Sequence, residues 1–200
     1  SMAFLTAQLN PTIQIGAMLP EINGNTKIGS KDYLIMEACE YVDSFLHFHP
    51  TSEIVLNIDN DHLDYFKNID GIISSFRKFA DKLDNNGNLI VNNDDNASKA
   101  FVNKFGSGIK LGYNNNENDY NILNADINPA ETKIEFTYKN QTYNVTTNLT
   151  SKFNVYNYMT SLAILHECGY EIEDIIDKTK EIKAPKGRCE THKVNGGYAV

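Results

Sequence analysis

Two short stretches of the chain, EACE at 37–40 and NIDNDH at 57–62, set acids and an imidazole directly behind apolar runs. Glu37 follows Tyr33–Met36, and Asn57, Asp59, Asp61 and His62 lie at or just past the end of Ile54–Ile58. Apolar runs this short are what parallel strands look like when both faces are covered. Ligands of such sheets gather at the carboxyl ends of the strands. Glu37 and His62, 25 residues apart in the sequence, are therefore expected to face one crevice from neighbouring strand tips. A carboxylate and an imidazole so placed suit a divalent cation. With Mg²⁺ the protein supplies one or two ligands, and water and phosphate oxygens supply the rest. The competing reading is structural, with Glu37 paired to a cation and His62 capping the helix after Asp61.

The elements that must hold these groups are legible from periodicity. Residues 3–9 read as the last turns of a helix, Thr12–Ile15 as a short strand, and Pro20, Gly24 and Gly29 as loop. Ile69, Ile72, Ile73, Phe76, Phe79, Ala80 and Leu83 form the stripe of an amphipathic helix, closed by Asn85-Asn86-Gly87. Leu89–Val91 and Ile109–Leu111 read as further buried strands with a helix at 96–105 between them. This alternation predicts an α/β fold, a mostly parallel sheet flanked by helices with right-handed crossovers. Tyr120–Ile127, Lys133–Tyr138 and Thr142–Thr147 nearly alternate and predict a small attached antiparallel sheet. Helices at 154–168 and 171–182 follow, split by Gly169. Ala184–Gly187 reads as a linker, and a hairpin begins around Asn195-Gly196-Gly197.

Two hundred residues suffice for one α/β domain with a buried core. A net charge of −8 without a basic cluster argues against nucleic acid as a partner. No apolar stretch approaches bilayer length, and the reading is a cytoplasmic protein without membrane insertion. The three cysteines, Cys39, Cys168 and Cys189, form no C-x-x-C and predict neither a disulfide framework nor a zinc knuckle. His47 and His49 with Cys39 complete no tetrahedral ligand set.

The wording EACEYVDSFLHFHPT, followed by LNIDNDHLDYF and preceded by NPTIQIGAMLPEINGN, resembles the central, ATP-binding domain of the Mur ligases. The DHLD segment marks the superfamily, and EACE and LPEI point to its alanine-adding branch. The resemblance implies that Glu37 and His62 hold Mg²⁺ and are the catalytic groups of this segment. It implies that Asn154 and Asn157, in Phe153-Asn154-Val155-Tyr156-Asn157, contact the adenine of ATP, as an amide can by donating and accepting together. It also assigns Arg188, in KGRCE, to the nucleotide phosphates. Read from residues alone, Asn154 is better taken as an ordinary N-cap. Phe153 stands where the alanine-adding enzymes usually carry His, and Phe is more usual in those adding the third residue. Phe76, 14 residues past His62, occupies the place of a lysine that the alanine-adding branch lacks.

On this resemblance residues 1–184 are the central domain and 185–200 the linker and first hairpin of the next. The parent enzyme would join L-alanine to UDP-N-acetylmuramate, consuming ATP through an acyl phosphate. The family's phosphate-binding loop, G-x-x-G-K-[ST], does not occur in the 200 residues, so this segment by itself is expected to be inactive. The alternatives are a Mur ligase adding lysine or diaminopimelate as third residue, a metal-dependent hydrolase on Asp59, Asp61 and His62, and a non-catalytic module binding a nucleotide or a partner protein.

Overall fold

The computed structural model describes residues 1–105, 108–185, 189, 192–195 and 197–199. In chain order the regular elements are α1 (Met2–Thr6), β1 (Thr12–Leu19), β2 (Gly24–Lys27), β3 (Leu34–Met36), β4 (Ser52–Val55), α2 (Leu63–Phe66), α3 (Ile69–Ala80), β5 (Asn88–Asn92), α4 (Asn96–Phe105) and β6 (Ile109–Tyr113). Then come β7 (Tyr120–Ile127), β8 (Thr132–Tyr138), β9 (Gln141–Thr147), α5 (Lys152–Glu167), α6 (Ile172–Thr179), β10 (His192–Val194) and β11 (Gly197–Ala199). Single 3₁₀ segments lie at Pro20–Ile22 and Tyr41–His47. The chain divides into two compact units, one of Ser1–Glu37, Ala125–Ile134 and Val145–Val200, the other of Ala38–Asn124 and Glu135–Asn144.

The fold class is the mixed α/β one, with a six-stranded sheet in the order β4-β5-β6-β7-β8-β9 and a three-stranded sheet in the order β2-β1-β3. β4, β5, β6 and β7 run parallel in sequence, as the helical crossovers require. The strands at 120–147, expected as a small antiparallel sheet attached to the parallel one, are continuous with it in the six-stranded sheet. β7 pairs with β6 along Leu111–Tyr113 and so extends the main sheet. β8 and β9 are joined by Lys139-Asn140, both at positive φ (46° and 64°), the two-residue turn whose twist suits a hairpin. The small sheet is instead built on β1, which pairs antiparallel with β2 and parallel with β3. β2 (GNTK) was expected as loop. It has no apolar alternation and owes its place to backbone pairing after the left-handed turn at Asn23.

In the second unit the α3 stripe does what its spacing predicts. Ile72 and Ala80 join Val55, Ile58, Phe66, Leu89, Val91 and Phe101 in one apolar cluster, with Ile69, Ile73, Phe76 and Leu83 packed against it. Asn68 caps the helix by accepting from Gly71 N at 3.0 Å. α3 ends at Ala80, earlier than the stripe suggests, and Leu83 reaches the cluster from the following turn. In the first unit α5 is apolar nearly all round and correspondingly buried, including Val155, Met159, Leu162, Ala163 and Leu165. α1 and α6 pack on it. Gly169, at φ 91°, closes α5 with its N–H on His166 O at 2.8 Å. The expected terminal hairpin is β10 paired with β11, Lys193 opposite Tyr198. The linker proposed at 184–187 falls partly outside the described residues. The three cysteines are free thiols, and no described helix is long and apolar enough to cross a membrane.

Candidate functional site

The segment behind β4 is pinned before it reaches its polar residues. Asp95 Oδ2 accepts from Ile58 N at 3.3 Å and from Ser98 N at 2.8 Å, so one carboxylate caps α4 and anchors the strand exit. Asp59 Oδ1 then accepts from Asn60 N and Asp61 Oδ1 from His62 N, both at 2.7 Å. His62 takes a left-handed backbone, φ 50°, and its carbonyl receives Tyr65 N and Phe66 N to start α2. The backbone of His62 thus occupies the capping position while its imidazole makes no capping bond. The ring lies instead against Tyr41, centroids 4.5 Å apart and planes 30° off parallel. Glu40 Oε1 is 3.9 Å from Nε2, and Asp61 Oδ1 is 3.8 Å from Nδ1.

Ligand atoms of Glu40, Asp61 and His62 all lie within 4.8 Å of one another. Two carboxylate oxygens and one imidazole nitrogen form a donor set for a divalent cation, the oxygens suiting Mg²⁺ or Mn²⁺ and the imidazole a softer metal. Glu40 was not singled out from the sequence. It reaches His62 because Val42 and Asp43 adopt left-handed φ of 50° and 57° inside the 3₁₀ segment, a bend that residue types do not announce. Partial burial pushes the Asp43 carboxyl up, but hydrogen bonds from Ser75 and Tyr65 and the Lys78 charge outweigh this and hold it low.

Glu37 closes the first stretch of the other unit. Its Oε2 accepts from Gly16 N at 2.6 Å, and its own N–H bonds Gln14 O at 2.9 Å. A Cβ on Gly16 would stand 3.3 Å from that oxygen, so glycine permits the close approach. The expectation that Glu37 and His62 sit on neighbouring strands of one sheet is corrected. β3 belongs to the three-stranded sheet and β4 to the six-stranded one. Each run is the edge of its sheet, with Leu34 67% and Ile54 42% exposed, so neither is covered on both faces. Apolar lettering reports that a run prefers burial, but not which strand pairs with it.

Asn154 and Asn157 lie together in the first unit. α5 begins at Lys152, and its N-cap is Ser151 rather than Asn154. The Ser151 hydroxyl accepts from Asn154 N at 3.3 Å, with Ser151 itself at φ 94°. Asn154 is buried one turn in, donating to Thr150 O at 2.8 Å and accepting from Asn157 Nδ2 at 3.2 Å. Each amide makes one donor bond here, and of the two only Asn157 is exposed. Both line a cavity of about 250 Å³ with Ile15, Leu19, Leu149 and Leu162, an apolar slot with an amide at its side. Tyr158, also on the wall, is hydrogen-bonded to Thr179 at 2.8 Å and pushed up to about 12 by burial. Phe153 is 78% exposed and takes no part in the core. Arg188 lies outside the described residues. Phe76 is packed edge-on to Phe45 at 5.4 Å, as its place on the stripe requires.

Comparison with known proteins gives the mixed α/β fold and these residues a family. The Mur ligase middle domain family matches residues 8–165, and the chain belongs to that family. UDP-N-acetylmuramate–L-alanine ligase of Caldicellulosiruptor bescii is 40% identical over 197 residues, 96% of this chain and 43% of the relative. The enzyme of the same name from Clostridium acetobutylicum is 37% identical over 98% of the chain and 43% of its own length. The chain therefore spans less than half the length of these relatives. Among solved structures, MurC of Thermotoga maritima superposes with a TM-score of 0.81 at 19% identity, over 98% of this chain and 44% of that one. MurF of the same organism, solved with ADP, gives 0.75 at 16% identity, over 98% and 48%. At these identities the structures speak for the fold.

Proposed function

We propose that this segment is the nucleotide-binding middle domain of an ATP-dependent ligase that joins L-alanine to the lactyl carboxylate of UDP-N-acetylmuramate. The observation that carries the reading is the 40% identity, over 96% of the chain, to an enzyme of that name. On this reading residues 1–184 form the middle domain and 185–200 lead into the next one. The terminal phosphoryl group of ATP passes to the carboxylate, and the alanine amine then displaces phosphate from the acyl phosphate.

The chain's own residues contribute positioning and charge, which is most of what phosphoryl transfer asks of a protein. His62 would offer one ligand to Mg²⁺ and Glu37 another, with Gly16 N steadying one Glu37 oxygen. When bound, that ion offsets the phosphate charge that builds up during transfer. Asn157 presents its amide to the adenine edge, and Asn154 fixes Asn157 from behind. Arg188 reaches the phosphates, a contact for which a guanidinium is well shaped.

The test uses the intact protein that carries this segment. Phosphate release from ATP should require UDP-N-acetylmuramate and L-alanine together. Turnover with UDP-dipeptide and lysine or diaminopimelate instead would assign it to the third-residue ligases. Turnover without ATP would favour the metal-dependent hydrolase.

A further inference from the structure

Around His62 the polar neighbours do not fix the imidazole. Glu40 and Asp61 stand 3.9 and 3.8 Å from its nitrogens, longer than a hydrogen bond. The contact that does define the ring plane is the face of Tyr41, at 4.5 Å and 30°. Tyr41 is itself held at both ends. Its hydroxyl donates to Asp64 Oδ2 at 3.2 Å, and its ring meets the edge of Tyr65 at 6.4 Å and 76°. Tyr65 in turn donates to Asp43 at 2.8 Å, and Ser75 donates to the other Asp43 oxygen.

Asp43 and Val42 are the two consecutive left-handed residues that turn Glu40 and Tyr41 towards His62. Such a conformation is costly for a β-branched residue and persists only where surrounding contacts impose it. The two hydrogen bonds on Asp43 are those contacts. A connected path of Ser75 and Tyr65, Asp43, the 42–43 bend and Tyr41 therefore ends on the imidazole. Metal-binding histidines ordinarily have their second nitrogen hydrogen-bonded to set the ring. Here an aromatic stack stands in that place.

We propose that Tyr41 is a positioning residue that orients the His62 imidazole for its cation, acting by ring stacking and tethered through Asp64. The inference rests on the reading of His62 as a metal ligand. Its test uses Mn²⁺ as probe and two readouts that do not depend on turnover.

In the intact protein the His62 C–H resonances, identified by their loss in His62→Ala, should be shifted upfield by the Tyr41 ring. Tyr41→Leu should abolish that shift and weaken Mn²⁺ binding about tenfold, the scale on which supporting residues tune metal sites. Tyr41→Phe keeps the ring and loses only the tether, so the shift should survive with affinity within about threefold. Thermal melts confirm that each variant is folded, and Tyr41→Phe keeps the comparison open if Tyr41→Leu is not. Unchanged His62 resonances or unchanged Mn²⁺ affinity in Tyr41→Leu, with affinity lost in His62→Ala, would overturn the role of Tyr41. In the Phe variant, loss of the shift would do the same. Unchanged Mn²⁺ binding in His62→Ala would instead remove the metal reading of His62, and this inference with it.

Discussion

Glu53 should make this protein less stable as pH rises through neutrality. It sits on β4 opposite Leu89, on the same face as Val55, which belongs to the apolar cluster. The residue is 5% exposed, and among the described residues neither carboxylate oxygen has a hydrogen-bond partner. Burial pushes its carboxyl from 4.5 up to about 8. Between those values the folded chain keeps a proton that the unfolded chain gives up. Stability from this group is complete below pH 4.5, falls as pH rises, and is gone above pH 8. The slope is about 1.4 kcal/mol per pH unit, so the interval amounts to roughly 4–5 kcal/mol. That is a large part of the ~5–15 kcal/mol that holds a domain folded.

Glu53→Gln keeps the shape and removes the titration. The chain has no tryptophan, so urea unfolding is best followed by far-ultraviolet circular dichroism, from pH 5 to 8.5. The stability difference, variant minus wild type, should be small at pH 5 and grow by several kcal/mol by pH 8.5. Glu53→Leu, which also removes the buried polar atoms, should be more stable than wild type throughout the upper half of the range. Wild-type and Gln curves that stay parallel within about 1 kcal/mol would refute the argument, because a solvated or paired carboxylate would then be the correct description.

Four further outcomes follow from the geometry. Asp95→Ala removes the α4 cap and the anchor on Ile58 N together. It should cost about 1–2 kcal/mol in urea unfolding, with Asp95→Asn retaining most of it. Gly16→Ala puts a methyl 3.3 Å from the Glu37 carboxylate and should lower Mg²⁺ affinity several-fold by calorimetry at nearly unchanged stability. Asn154→Ala breaks a buried hydrogen bond to Thr150 O and should cost about 1 kcal/mol or more. Asn157→Ala, on an exposed side chain, should weaken ATP binding in a nucleotide titration and leave the unfolding curve in place.

Local chemistry is enough to locate most elements of this chain. The α3 stripe, the Leu89–Val91 run, the α4 span and the Gly169 stop all depend on residues within a few turns of one another. The wording of EACE, DHLD and FNVYN likewise carries the family at the level of single positions. Elements defined by their partners were not legible in the same way. β2 has polar letters and exists through its pairing with β1, and the strands at 120–147 join the main sheet because β7 finds β6.

The sequence by itself put forward the candidate groups, Glu37, His62, Asn154 and Asn157, because residue type and family wording are written in it. Only the tertiary structure decided their surroundings. It set Tyr41 against His62, brought Glu40 within reach through the left-handed bend at Val42–Asp43, and buried Glu53 without a partner among the described residues. The physical reason is that strand pairing, ring stacking and desolvation depend on segments far apart in the chain, and their outcome is settled only when the whole fold competes for the same contacts.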